Sequence, residues 1–99
     1  MRLEIFSVYD GAAKAFITPF FLPTIDMAVR SFTNCCNDPT HAFCINSVDY
    51  TMFHLGSFND SDGVFSTFAV PEKLVLGSFA KRDGISIETY DPSEYSQRA

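Results

Sequence analysis

Only one stretch of this chain, Thr24 to Asn37, repeats its apolar residues at helical spacing. Almost every other apolar residue recurs at a period of two or sits in a short aromatic run. A chain built this way closes its core by laying one helix on a sheet. Ile25, Ala28, Val29, Phe32, Cys35 and Cys36 form the apolar stripe, and Asp26, Arg30, Asn34 and Asn37 the polar one. Thr24 is placed to cap the first turn, where Asp26 meets the positive end of the helix dipole. Asn37-Asp38-Pro39 ends the helix, because the residue before a proline is pushed out of the helical region.

The extended segments follow from alternation and breakers. Arg2 to Tyr9 reads as a strand closed by Asp10-Gly11, with Phe6 and Val8 making its second face apolar as well. Lys14 to Leu22 is a second one, held to an edge or interrupted at Pro19, which has no N–H for a ladder bond. Thr40 to Asp49 reads as a loop with one helical turn. Tyr50 to Phe58 and Val64 to Val70 flank the turn Asn59-Asp60-Ser61-Asp62-Gly63 and form a hairpin. Pro71 to Leu74 is expected as a helical turn, and Val75 to Lys81 as a last strand. The expected fold is α+β: a mainly antiparallel sheet of four or five strands, with the amphipathic helix packed on one face. Residues 1–82 form the single domain, and residues 83–99 a polar tail expected to be frayed or disordered. Leu55-Gly56-Ser57-Phe58 reappears as Leu76-Gly77-Ser78-Phe79. Two strands ending alike beside a turn account for that repeat as well as a duplication does.

Rings outnumber what one helix can cover. Eleven Phe and four Tyr stand in 99 residues, and a domain of that size buries only roughly 65% of its unfolded surface. Phe6, Val8, Phe20 and Phe21 load the faces of two strands and are the expected interface of a homodimer. Tyr9, Phe16, Phe20, Phe21, Phe53, Phe65 and Phe68 offer stacking faces of the kind that bind single-stranded nucleic acid. The cations Arg2, Lys14, Lys81 and Arg82 fall at strand ends, so the expected contacts are these four with Tyr9 and Phe20. The net charge of −5 opposes such binding and predicts low, salt-sensitive affinity.

Several classes drop out. This apolar content excludes wholesale disorder. The longest uncharged apolar run, Ala15 to Pro23, is too short to span a bilayer. Met1-Arg2-Leu3-Glu4 does not read as a signal peptide, so the expected setting is cytosolic, without membrane contact. Three cysteines, an odd number, argue against a disulfide framework. Cys35, Cys36, His41 and Cys44 raise a zinc site, but no second paired motif supports it; reduced thiols on a helix face are the simpler reading, and no metal or cofactor is expected. Asp60 and Asp62 lack the closing glutamate of a calcium loop, since position 71 is proline. No serine stands in a nucleophile-elbow pattern. His54 is expected at the surface or in a cross-strand role, and His41 in an exposed loop. No catalytic residue emerges, which points to a nonenzymatic protein.

The ordered series Ile5-Phe6-Ser7-Val8-Tyr9-Asp10, Pro19-Phe20-Phe21, Arg30-Ser31-Phe32, Asn37-Asp38-Pro39, Asp49-Tyr50-Thr51-Met52-Phe53 and Leu55-Gly56-Ser57-Phe58-Asn59-Asp60 carries a resemblance. It resembles the small nonstructural protein of gokushovirus-type microviruses, phages with single-stranded DNA genomes, over residues 2 to 70 and more loosely to 82. The resemblance implies an accessory protein of genome replication or packaging in the bacterial cytoplasm, partnered by single-stranded DNA or by viral replication or packaging proteins. It brings no catalytic residues. A protein-interaction module that binds a viral or host protein without touching nucleic acid is the alternative.

Overall fold

Strand β1 (Arg2–Asp10) holds the sheet together, because three other strands pair with it. The structure, a computed structural model, describes residues 1–81; Arg82 and the expected tail 83–99 lie outside the described residues. After β1 come β2 (Ala15–Phe16), β3 (Phe20–Leu22), helix α1 (Ile25–Cys36), the short α2 (Ala42–Ile45), a 3-10 turn (Ser47–Asp49), β4 (Tyr50–Asn59), β5 (Val64–Leu76) and the one-turn α3 (Gly77–Ala80). All pairings are antiparallel, in the order β2-β1-β4-β5, with β3 beside β2 on the same edge of β1. The fold is thus the α+β sheet-and-helix arrangement expected, with five strands. Pro19 separates β2 from β3, as a residue without an N–H must when it falls inside a paired segment.

Helix α1 starts where its cap is. Thr24 Oγ1 accepts from the Met27 N–H at 3.2 Å, and Asn37 closes the other end. Ala28, Val29, Phe32 and Cys36 meet Phe6, Val8, Met52, Leu74, Val75 and Ala80 in the core. The buried stripe is turned slightly from the expected one: Ile25 is 37% exposed, while Thr33 is buried. Asn37 Nδ2 donates to the carbonyls of Thr33 at 2.8 Å and Ala80 at 3.0 Å, so one side chain ties α1 to α3. His41, expected exposed, is half-buried because its ring caps α2, Nδ1 accepting from the Phe43 N–H at 3.0 Å.

Two expectations near the C-terminal side are corrected. Pro71 to Leu74 continues β5 instead of forming a helical turn, and the expected strand Val75 to Lys81 gives way to α3 after Leu76. Pro71 is tolerated because β5 bulges there. Between the pairs Gly56–Thr67 and His54–Glu72, β4 advances two residues and β5 five, so Pro71 sits outside the ladder. The repeated Leu-Gly-Ser-Phe lies once inside β4 and once across the end of β5 and the start of α3. Its common element is backbone crowding. A Cβ on Gly56, at φ +149°, would collide with the Ser66 carbonyl, and one on Gly77 with the carbonyls of Ser47 and Tyr50.

Candidate functional site

Residues opposed in an antiparallel ladder share a face, so the register sorts every strand side chain. Phe6, Val8, Met52, His54 and Val75 lie on the side that α1 covers. The reverse side takes Leu3, Ile5, Ser7 and Tyr9 from β1, Phe16 and Phe21 from β2 and β3, Phe53 and Phe58 from β4, and Phe65, Thr67, Lys73 and Leu76 from β5. No helix among the described residues packs on it.

Its rings cluster twice. Tyr9, Phe16 and Phe53 form a chain of edge contacts, with centroids 5.0 Å and 5.3 Å apart. Phe21, Phe58 and Phe65 form a triangle with centroids 4.6–6.3 Å apart. Phe16, Phe21 and Phe65 remain 45%, 40% and 58% exposed. Such edge-to-face contacts hold rings in place while leaving parts of them open. Between the clusters Ser7 is buried, its hydroxyl donating to the Ile17 carbonyl at 2.6 Å.

Charge divides the same way. Lys73, opposite Phe53, is the charged residue that β4 and β5 bring to the ring face, and no described strand position there holds a carboxylate. Glu4 points to the helix side, where its carboxylate meets Arg2 Nε at 3.0 Å and His54 Nε2 at 2.9 Å. Glu72 faces His54 in the ladder. Asp60 is at the hairpin turn, 2.6 Å from the N-terminal ammonium, and Asp62 caps the Val64 N–H at 3.0 Å. Asp10 accepts from the N–H groups of Ala12 and Ala13 in its own turn.

The expected contact residues do not converge. Arg2 and Phe20 are on the helix side, Phe20 stacked on Phe6 with centroids 5.7 Å apart. Tyr9 is on the ring face. Lys14 is exposed in the β1–β2 turn, at φ 57°. Lys81 is half-buried, Nζ donating to the Cys44 carbonyl at 3.0 Å, and Arg82 lies outside the described residues. Of the expected dimer residues, Phe6 and Val8 are spent in the core and Phe20 packs against it, which leaves Phe21 as the exposed one. Of the two roles expected for His54, the structure gives the cross-strand one and not the surface one: it is buried between Phe6 and Phe68, with Glu4 on β1 as its partner. Of the seven rings picked out as stacking faces, Phe20 and Phe68 turn to the helix side and five reach the ring face. Phe58, outside that set of seven, joins the ring face too. It and Phe53 differ in parity, and only the irregularity around Leu55 puts both on one side.

The cysteines are free thiols; Cys36 and Cys44 are buried and Cys35 half-buried. Burial, with Cys35 and Cys44 nearby, pushes the Cys36 thiol up to about 12, so it stays protonated and a poor nucleophile. Among the described residues no group of three His, Cys, Asp or Glu is placed to hold a metal ion, and no helix is long and apolar enough to cross a membrane.

The class is an α+β protein: an antiparallel sheet with a helix on one side and, among the described strand positions, a ring-bearing surface without carboxylates on the other. The chain belongs to the Phage ORF5 protein family, which matches residues 3–82. It is therefore a phage protein. No curated protein and no solved structure matches it.

Proposed function

We propose that this is a nonenzymatic accessory protein of a small single-stranded DNA phage of the gokushovirus type. In this reading it binds single-stranded DNA on the ring face of its sheet, during genome replication or packaging in the bacterial cytoplasm. The observation that carries the proposal is the segregation on that face: two clusters of partly open rings, Lys73 beside Phe53, and no carboxylate among its described strand positions. The acidic residues behind the net charge of −5 that belong to the sheet and its hairpin turn point elsewhere. Bases stack on rings without sequence preference, at about 1–3 kcal/mol per engaged base. Lys73, and Lys14 at the rim beyond Phe16, supply phosphate contacts. Membership of a phage family supports the setting.

Fluorescence anisotropy of a labelled thymidine oligomer tests this. The expected result is weak binding at low salt that falls as salt rises, with a log–log slope of about −1 to −2 for two or three neutralised phosphates. Lys73→Glu should weaken binding and flatten the slope. Absence of binding at low salt with tens of micromolar protein would refute the DNA reading and leave the ring face to a protein partner from the replication or packaging machinery.

A further inference from the structure

Lys73 does more than mark the ring face. At the C-terminal end of β5 it stands with Leu74, Val75 and Leu76 of the strand and Phe79 of α3 around an open-mouthed pocket of about 230 Å³. The pocket forms where the β4–β5 ladder slips: Met52 pairs with Val75 and Phe53 with Lys73, so Leu74 has no partner in β4. That bulge turns Leu74 and Val75 together into the core, while Lys73 and Leu76 stay on the ring face.

Three features define what fits. Volume is the first: pockets for drug-sized ligands run from about 300 Å³ upward, so this one holds a single ring system. The second is a polar rim. Among the described residues β5 pairs with β4 alone, so the main-chain N–H and C=O groups on its outer side meet no other strand and stand as donors and acceptors. The third is charge. Lys73 makes no ion pair among the described residues, and no carboxylate lines the pocket.

We infer that the pocket receives one nucleobase of the single strand bound on the ring face, extruded from the stack, with its neighbouring phosphate on Lys73. A base answers all three features. Its flat faces meet Leu74, Val75, Leu76 and Phe79, its hydrogen-bonding edge meets the outer groups of β5, and its phosphate meets the ammonium. An apolar peptide side chain would use the walls alone. A pocket that meets the edge of a base is also where sequence preference enters, which stacking on open rings does not give. The inference rests on the DNA reading of the ring face.

A thymidine oligomer carrying iododeoxyuridine, photo-cross-linked to the full chain and mapped by mass spectrometry, tests it. Bases on the ring face should mark Phe16, Phe21, Phe53 or Phe65, and the pocket base should mark Phe79. Leu76→Trp, at an exposed position, fills the cavity. It should remove the Phe79 adduct, keep the ring-face adducts, and weaken binding about tenfold by anisotropy, the size of one lost base. Should Leu76→Trp lose its native circular dichroism spectrum, the wild-type adduct map decides alone. Ring-face adducts without one at Phe79 overturn the inference and leave the DNA reading standing. Failure of the oligomer to bind at low salt overturns both. A Phe79 adduct that persists in natively folded Leu76→Trp also overturns the inference, because a base would then reach Phe79 without entering the pocket.

Discussion

The two faces of this sheet are made by alternate residues of the same strands, yet they are finished differently. On the helix side Phe6, Val8, Met52 and His54 are closed off by α1 and its neighbours, and the polar atoms buried there are nearly all satisfied. On the reverse side the rings cover one another only in part. The difference follows from supply. A twelve-residue helix is about 18 Å long, and it covers one side of the paired strands over one end. Strands that are apolar on both sides must then bury the second side with their own side chains, and rings do this best because each covers much area from a single position. What is left open is large, apolar and fixed in position by ring contacts, which suits recognition better than stability.

Predictions that separate the faces begin with the core. Phe32→Ala should cost about 3–5 kcal/mol, read by urea denaturation, because Phe32 joins the helix to the core and touches Phe43. That is a large part of the stability of a small domain. A cost comparable to that of a ring-face truncation would mean that α1 is not what closes the core.

Gly56→Ala should come next, on the order of 3 kcal/mol, since a side chain at φ +149° is strained and would meet the Ser66 carbonyl. It tests the irregularity that turns Phe53 and Phe58 to one face. Its signature should therefore be local: hydrogen exchange should quicken at the β4–β5 pairs near Thr67 before it does in α1. Uniform loss of protection would contradict this.

Phe65→Ala should behave in the opposite sense to Phe32→Ala. Phe65 is 58% exposed and held by two ring contacts, so its loss should cost about 1 kcal/mol of stability. If the face binds DNA, the same change should weaken oligomer binding about tenfold, the equivalent of roughly 1.4 kcal/mol and within the range of one stacked base. A variant that binds as tightly as the wild type would remove the Phe21–Phe58–Phe65 cluster from the binding surface.

Much of this arrangement is legible in local residues. Thr24, the 3.6-residue stripe and Pro39 bound α1, and Pro19 divides β2 from β3, because caps and missing donors act on their own neighbours. The β5 bulge is different. Whether Pro71 ends a strand or rides outside a ladder depends on what β4 does opposite it, and no local pattern carries that. Parity fails for the same reason: Phe20 and Phe21 look alike in sequence until pairing with β1 sends them to opposite faces, Phe58 shares a face with Phe53 only through the step at Leu55, and His54 is enclosed by Glu4 and Phe68 from other strands. Cations fared worst. Arg2 and Lys81 look free in sequence, but one lies against Glu4 and the other on the Cys44 carbonyl.

The smallest effect concerns Thr33, where the closed side has its one flaw. Its Oγ1 is buried on α1 and has no hydrogen-bond partner, alone among the buried side-chain polar atoms of the described residues. A buried hydroxyl without a partner gives up its hydration for nothing, and replacing it by an apolar group of the same shape is neutral or favourable. Thr33→Val keeps the branched shape and removes the oxygen, so it should raise stability by up to about 1 kcal/mol. Thr67 makes the control, because it is exposed on the ring face and its hydroxyl is reached by water. Thr67→Val should then lie within about 0.5 kcal/mol of the wild type. Urea midpoints of the two variants, measured together, compare one substitution on a closed face and an open one. A loss of stability in Thr33→Val would show that its hydroxyl has a partner, water or backbone, and that the helix side is less dry than its packing implies.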